Sequence, residues 1–541
     1  LSSILVVAVP FLLGCVSERP IHIRLDEDVH RPEKSVVIFL PDGMDAYRMH
    51  DLAAQGRLPN IKRVFMEGGV GVRHAVSSMP SITYPNCSSV ITGRFPGHHD
   101  IMGNFWFDRQ ELISRDYMTY GTYRTVNVHM IQPTLYDILS GHFTLNIQGH
   151  TRRGVTQTID NENMFAWAWV TGRYIQADRY VGVCFEEAAM IANRVNRWPS
   201  VIMTYYPGVD EVGHVSGPGS GEYASALENI DGVVGRVTEA FEEAGLSDST
   251  YYVLLADHGM APIQRDQQMD LRVWLRKKRG MRLLTSPLSL ENYVDRYEKM
   301  KEYDAVVAVE SARVARIYLQ GEHGWSFTPS SEEVAEWIEA EPAIPDLPAV
   351  DLALYQVNED AVGVVSARGR ALIERRRVGK QYEYRIAEYK GDPLDYKSHS
   401  LILKMMNSDW HRSRDWLRAT AHVSYPDFVP QAVEMFDSPR AGEVVLFAAD
   451  GWALNEGEKG GHGSIAQRDM RIPMYFAGPD LPRGAEIPYG RLVDVTPTIL
   501  GLLEESHRLE DYPPVDGVNM ENRLRNASEL EVYGVTGAGL N

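Results

Sequence analysis

Ser35-Val-Val-Ile-Phe-Leu-Pro-Asp-Gly43 is the stretch from which the fold can be read. Residues 35–40 are apolar without alternation, as in a strand buried on both faces. The run stops at Pro41-Asp42-Gly43, a turn signal that leaves a carboxylate at the strand's carboxyl end. Runs of the same form occur at 201–206, 251–256 and 444–449, and Arg471 to Ala477 is a further candidate in which Pro473 favours an edge position. Helical patterns lie between them. Residues 224–244 carry an apolar stripe (Leu227, Ile230, Val233, Val234, Val237, Phe241) that stops before Gly245. Residues 494–503 form another, with Pro497 tolerable only near the first turn. Strands alternating with helices predict an α/β domain with a mostly parallel central sheet and helices on both faces. Ligands of such sheets bind beyond the carboxyl ends of the strands.

That rule directs attention to the residues after each strand. They are Asp42, then Asp210-x-x-x-His214, then Asp257-His258-Gly259, then Gly461-His462-Gly463. One such aspartate alone is a turn or helix cap. Carboxylates and imidazoles gathered at one sheet edge are ligands for zinc or a similar divalent ion, and this number suits two ions. A nucleophile accompanies them. Pro80-Ser-Ile-Thr83-Tyr-Pro-Asn86 precedes a helical pattern to about Ile91, with Pro85 suited to its first turn. Thr83 then lies at a helix N-terminus, where amides and the dipole favour a bound phosphate. A hydroxyl needs a base or a metal to become a useful nucleophile, and the ligand cluster supplies one.

These motifs resemble the alkaline phosphatase superfamily and, within it, the nucleotide pyrophosphatase/phosphodiesterase family. Thr83 to Asn86, followed by Thr92-Gly-Arg-Phe-Pro-Gly-His98, is similar to that family's nucleophile segment. Asp210 to His214, Ala256 to Met260 and Gly461 to Gly463 are similar to its metal segments, and Asp494 to Leu500 to a helix common across the superfamily. The likeness covers roughly 35–262 and 440–505. It implies two zinc ions, one held by Asp42, Thr83, Asp257 and His258, the other by Asp210, His214 and His462. It further implies attack by Thr83, a phospho-threonine intermediate and a phosphate oxygen held by Asn86. Tyr84 and Tyr205 stand where the family sandwiches a nucleobase, so the expected substrate is a small phosphodiester or pyrophosphate of nucleotide type. A sulfatase is disfavoured, since Thr83-x-Pro85-x-Cys87 lacks the Cys or Ser and the Arg of that motif. The first alternative is a phosphomonoesterase or phosphonate hydrolase, with Arg94 as a candidate clamp for the extra charge. The second is a non-catalytic metal-binding lipoprotein.

Composition sets the outer limits. A chain of 541 residues, 44% hydrophobic and without low-complexity tracts, supports a large core with insertions. A net charge of −19 argues against a long nucleic-acid partner. Ile4 to Leu13 is too short to span a bilayer and reads as the apolar part of a signal peptide. Leu12-Leu-Gly-Cys15 resembles a lipobox, implying a protein acylated at Cys15 and anchored to a bacterial membrane by lipid alone, with Val16 after the cysteine compatible with the outer membrane, facing the periplasm or exterior. The expected organisation is a 1–15 signal peptide, a 16–34 tether, and a catalytic domain over 35–262 and 440–510. An inserted α+β cap subdomain follows over 263–439, and a tail over 511–541. Within the cap, Ser330-x-x-Glu333 is a capping box and a hairpin is expected around 378–380, while the basic runs 276–279 and 375–377 read as solvated faces. Cys87 and Cys184 are candidates for pairing in an oxidising compartment.

Overall fold

A computed structural model describes residues 19–119, 121–285, 288 and 292–527. The expected signal segment with Cys15 lies outside the described residues. The central sheet runs Ala485–Arg491, Val70–Val76, Arg471–Ile472 continued by Met474–Ala477, Thr250–Leu255, Ser35–Pro41, Val201–Tyr206, Thr144–Ile147 and Gln157–Ile159. Its pairings are parallel except around 471–477, which is antiparallel to both neighbours. The expected α/β architecture is therefore present. The 471–477 segment lies inside the sheet rather than at its edge. Pro473 falls at the break between its two short strands, where a missing N–H costs no ladder bond, and its carbonyl accepts from the Ala256 amide.

Register explains where the site forms. Val36 pairs with Val201 on one side and Tyr251 on the other, so the three central strands end together. Asp42, Asp210 and Asp257 consequently leave the same edge. The Gly221–Glu243 helix begins at Ser220, whose hydroxyl accepts from the Tyr223 amide, and buries Leu227, Ile230, Val233, Val234, Val237 and Phe241. Each such side chain contributes about 1.5–3 kcal/mol when fully buried. Gly182 of the Tyr174–Val195 helix permits close packing, since a Cβ there would lie 3.2 Å from Val233.

Two expected boundaries move. Residues 19–34 lie against the domain, with Ile21, Ile23 and Val29 buried in its core, so over this span the chain is not a free tether. Ile21-His-Ile-Arg-Leu25 alternates as a half-buried extended segment does, a signal outweighed by its charged neighbours. Likewise 511–527 is no loose tail, because Met520, Leu524 and Ala527 are fully buried.

The inserted segment builds a second sheet, antiparallel apart from one short edge pair. It contains the predicted hairpin Gly369–Val378/Gln381–Gly391 and packs with the capped helix Ser331–Glu339. Val444–Ala448 belongs to this sheet, between Val314–Leu319 and Val350–Asn358, and not to the central one. An apolar run without alternation suits the interior of either sheet, and only the pairing decides. Of the basic runs, Arg375 turns inward onto Asp437 and Asp360.

This second unit shares its core with the loop that leads into Thr83. Met79 and Ile82 pack in one cluster with Val314, Leu352 and Phe447. A fully buried ion pair ties the two sheets. Arg313 donates to both carboxylate oxygens of Asp469 (2.8 and 3.1 Å) and to the carbonyls of Ala449 and Trp452. Asp469 in turn accepts from the Ser464 amide, and its carbonyl from Gly259. Arg313→Met strands a buried carboxylate, so it is expected to destabilise the protein by about 3–5 kcal/mol. Urea unfolding monitored by circular dichroism checks this, and an unchanged midpoint would refute it.

Candidate active site

The Thr83–Thr92 helix has no side-chain cap at Ile82, and in its first turn the Tyr84 backbone amide donates to Asn104 Oδ1 and the Asn86 backbone amide to the Ile82 carbonyl. Thr83 Oγ1 lies 3.2 Å from His258 Nε2. The same Nε2 is 3.1 Å from Asp42 Oδ1 and 3.3 Å from Asp257 Oδ2. Asp210 bridges to the second group, with Oδ2 3.3 Å from His214 Nε2 and Oδ1 3.4 Å from His462 Nε2. All seven residues expected from the sequence are thus brought together. Five of them form two adjoining clusters that share Asp210, Asp42/Asp210/His258 and Asp210/His214/His462, each with ligand atoms within 4.8 Å of one another. Gly43 lets the clusters adjoin. Its φ is +62°, and a Cβ there would lie 2.6 Å from Asp210 Oδ1.

Each imidazole presents Nε2 inward and has Nδ1 held from behind. His214 Nδ1 lies 2.8 Å from Glu458 Oε2, His462 Nδ1 2.8 Å from the Ser81 carbonyl, and His258 Nδ1 3.0 Å from the Gly259 carbonyl. Such backing fixes ring orientation in metal sites. Asp42 Oδ1, Asp210 Oδ1 and Asp257 Oδ2 are buried without a hydrogen-bond partner. Unpaired buried carboxylate oxygens are costly unless a cation compensates them, so this donor set fits divalent metal.

The electrostatics agree. Burial drives the Asp257 carboxyl well above its usual range, reinforced by the charge of Asp42. Burial opposes protonation of His258, yet the Asp257 and Asp42 carboxylates prevail and raise it to about 10. His462 is driven far down by burial and by the neighbouring His258 and His214. Protons and a bound cation compete for the same crowded carboxylate and imidazole atoms.

Asn86 is fully buried one turn into the helix, its Oδ1 unpartnered. Glu458 and Ser81 support the site but escaped the sequence reading. Glu458 meets His214 across 244 positions of sequence, with no spacing to announce it. Ser81 accepts from the Gly463 amide and donates to the Ser464 carbonyl (3.0 and 2.7 Å), joining the loop before Thr83 to the segment that carries His462. Arg94 is not a phosphate clamp. It is buried, and its guanidinium donates to the carbonyls of Thr92, Pro513 and Pro514. His99 packs against Ser89, and Asn104 accepts from the Tyr84 amide. Cys87 and Cys184 are separate buried thiols. Tyr84 and Tyr205 flank the site, but they do not enclose an open slot, because the His150 ring lies between them.

With this geometry in place, sequence comparison is decisive. The type I phosphodiesterase/nucleotide pyrophosphatase profile matches residues 36–370. The chain belongs to that family. As a member of this hydrolase family it carries its match beyond residue 262, into the segment expected to lie outside the resemblance. It is 26% identical over 239 residues to an uncharacterised pyrophosphatase/phosphodiesterase of Schizosaccharomyces pombe, covering 42% of this chain and 45% of that protein. It is 24% identical over 265 residues to human ectonucleotide pyrophosphatase/phosphodiesterase family member 1, covering 46% and 26%. The chain thus spans less than half the length of these curated relatives. Murine ectonucleotide pyrophosphatase/phosphodiesterase 5, solved as an inactive threonine-to-alanine variant with AMP, superposes with a TM-score of 0.56. That superposition covers 90% of this chain and 99% of the other at 14% identity, a likeness of fold.

Proposed function

We propose that this protein hydrolyses small phosphodiesters or pyrophosphates through a covalent intermediate on Thr83, at a site holding two divalent ions, with zinc the ion that suits the Asp/His donor set. The observation that carries the reading is the position of Thr83 Oγ1, 3.2 Å from His258 Nε2 and beside buried carboxylate oxygens that lack partners. Asp42, Asp257 and His258 with Thr83 would hold one ion, and Asp210, His214 and His462 the other. Two cations so held would stabilise the attacking and departing oxygens of an in-line displacement.

The chain's own residues then have separable tasks. Thr83 Oγ1 attacks phosphorus, its proton leaving toward the His258/Asp42 side, and the departing alkoxide forms on the Asp210/His214/His462 side. The Asn86 amide and the uncapped helix start hold a non-bridging oxygen. Water entering from the leaving-group side hydrolyses the threonine ester and restores Oγ1. A diester is favoured over a monoester because Arg94, the candidate for the extra charge, faces the 513–514 carbonyls instead. The AMP in the murine relative and its inactivity without the threonine support a small nucleotide as substrate and Thr83 as nucleophile. Lipid anchoring at Cys15 and action outside the cytoplasm belong to the same proposal, supported by the Leu12 to Cys15 motif. Among the described residues no helix is long and apolar enough to cross a membrane.

Parallel hydrolysis of a nucleoside 5′-monophosphate aryl ester, a bis-aryl phosphate and an aryl phosphate monoester tests the reading. Both diesters are expected to turn over faster than the monoester. Preference for the monoester would sink the assignment.

A further inference from the structure

We propose that His150 is a specificity-determining plug, filling a ring-sized slot beside the nucleophile so that the enzyme reads the phosphoryl group of its substrate and not a base. This rests on the proposed function for its location. His150 stacks on Tyr84 with centroids 5.0 Å apart and an interplanar angle of 21°, and meets Tyr205 edge-on at 4.8 Å. Tyr123 closes a third side at 5.7 Å. Tyr84 directly follows the nucleophile, and the Tyr205 hydroxyl donates to Asp42, so this slot opens onto the reacting phosphate. With the imidazole in place Tyr84 is only 4% exposed and Tyr205 2%.

The two tyrosines cannot turn aside easily. Tyr84 donates its hydroxyl to the Tyr117 carbonyl at 2.7 Å and lies over the Tyr117 ring at 5.3 Å. The plug is equally anchored. The His150 carbonyl accepts from Asn127 Nδ2 at 2.9 Å, the Asn127 Oδ1 accepts from the Arg152 amide at 2.6 Å, and the Gly149 amide donates to Asn146 Oδ1 at 2.8 Å. A buried neutral imidazole suits the role, and burial holds His150 down to about 4. Its Nδ1 is buried without a partner, as expected of a ring kept for its shape and not for a hydrogen bond. Aromatic pairs at these separations bind any planar ring, so an emptied slot would accept a nucleobase.

The test measures affinities of the zinc-loaded protein for AMP and for ribose 5-phosphate by calorimetry, in the wild type and in His150→Ala and His150→Phe. The wild type is expected to bind the two ligands about equally. His150→Ala should tighten AMP binding by about tenfold or more, the scale of one base stacked on aromatic side chains. Ribose 5-phosphate should be unaffected, and His150→Phe, which refills the slot, should restore the wild-type ratio. A wild type that already favours AMP strongly over ribose 5-phosphate overturns the proposal without reference to any variant. Equal AMP affinity in wild type and His150→Ala, or no AMP binding by either, overturns it as well. Failure of both aryl diesters to turn over sinks the catalytic reading instead, since the affinity ratio reports the slot independently of turnover.

Discussion

Thr83→Ala is expected to lower diester turnover by at least about a thousandfold while leaving bound metal unchanged, because it removes the attacking oxygen outright. Thr83 Oγ1 stands 3.2 Å from His258 Nε2, and Asp42, Asp257 and His258 stay as donors when the hydroxyl is gone. The helix start, with no side-chain cap to lose at Ile82, should keep its conformation. Two readouts separate a nucleophile from a residue that merely shapes the pocket. Acid quench during turnover followed by mass spectrometry should show a phosphoryl adduct on the peptide containing Thr83 in the wild type and none in the variant. Metal content by atomic emission should be the same in both. A variant that retains activity, or an adduct on another residue, would refute the assignment.

Chelation is the second large effect. Removing divalent metal is expected to abolish turnover and lower thermal stability, with both restored by zinc. The physical cause is the gathering of Asp42, Asp210 and Asp257 at one edge, each with a buried oxygen that accepts no hydrogen bond. A cation bound at a thousand times its dissociation constant stabilises the folded chain by about 4 kcal/mol. Acidification should weaken metal binding, since protons compete for the same atoms. Burial and Asp42 raise the Asp257 carboxyl, and the Asp257 and Asp42 carboxylates raise His258 to about 10, so protons compete with metal for this cluster. Thermal unfolding with and without chelator, across pH, checks the sign. Two ions per chain are expected by emission spectroscopy. A single ion, or a melting temperature indifferent to chelator, would refute the two-ion reading.

Much of the site was legible because strand ends are a local property. A buried apolar run that stops at Asp42, at Tyr206 or before Asp257 places the next residue at the sheet edge whichever partners the strand takes. The same locality misled at Val444–Ala448. His462 reaches the site, but through a strand in the inserted sheet and a return loop whose backbone Ser311 supports, its carbonyl accepting the His462 amide. Terminal boundaries failed for a related reason. Ile21, Ile23, Met520 and Leu524 are isolated apolar residues among charges, and only the surfaces they cover show them to be buried.

The sequence by itself determined the α/β class and the seven positions that the structure gathers at one site, because each is written in contiguous residues whose burial pattern and turn chemistry are short-range. Only the tertiary structure decided which atoms back those ligands, as Glu458 does for His214 and Ser81 for His462. It alone showed that Arg94 faces away from the phosphate site and that His150 stands between Tyr84 and Tyr205. Those facts depend on side chains brought together across tens to hundreds of positions. No periodicity records such meetings, since packing selects them by shape and charge once the chain has closed.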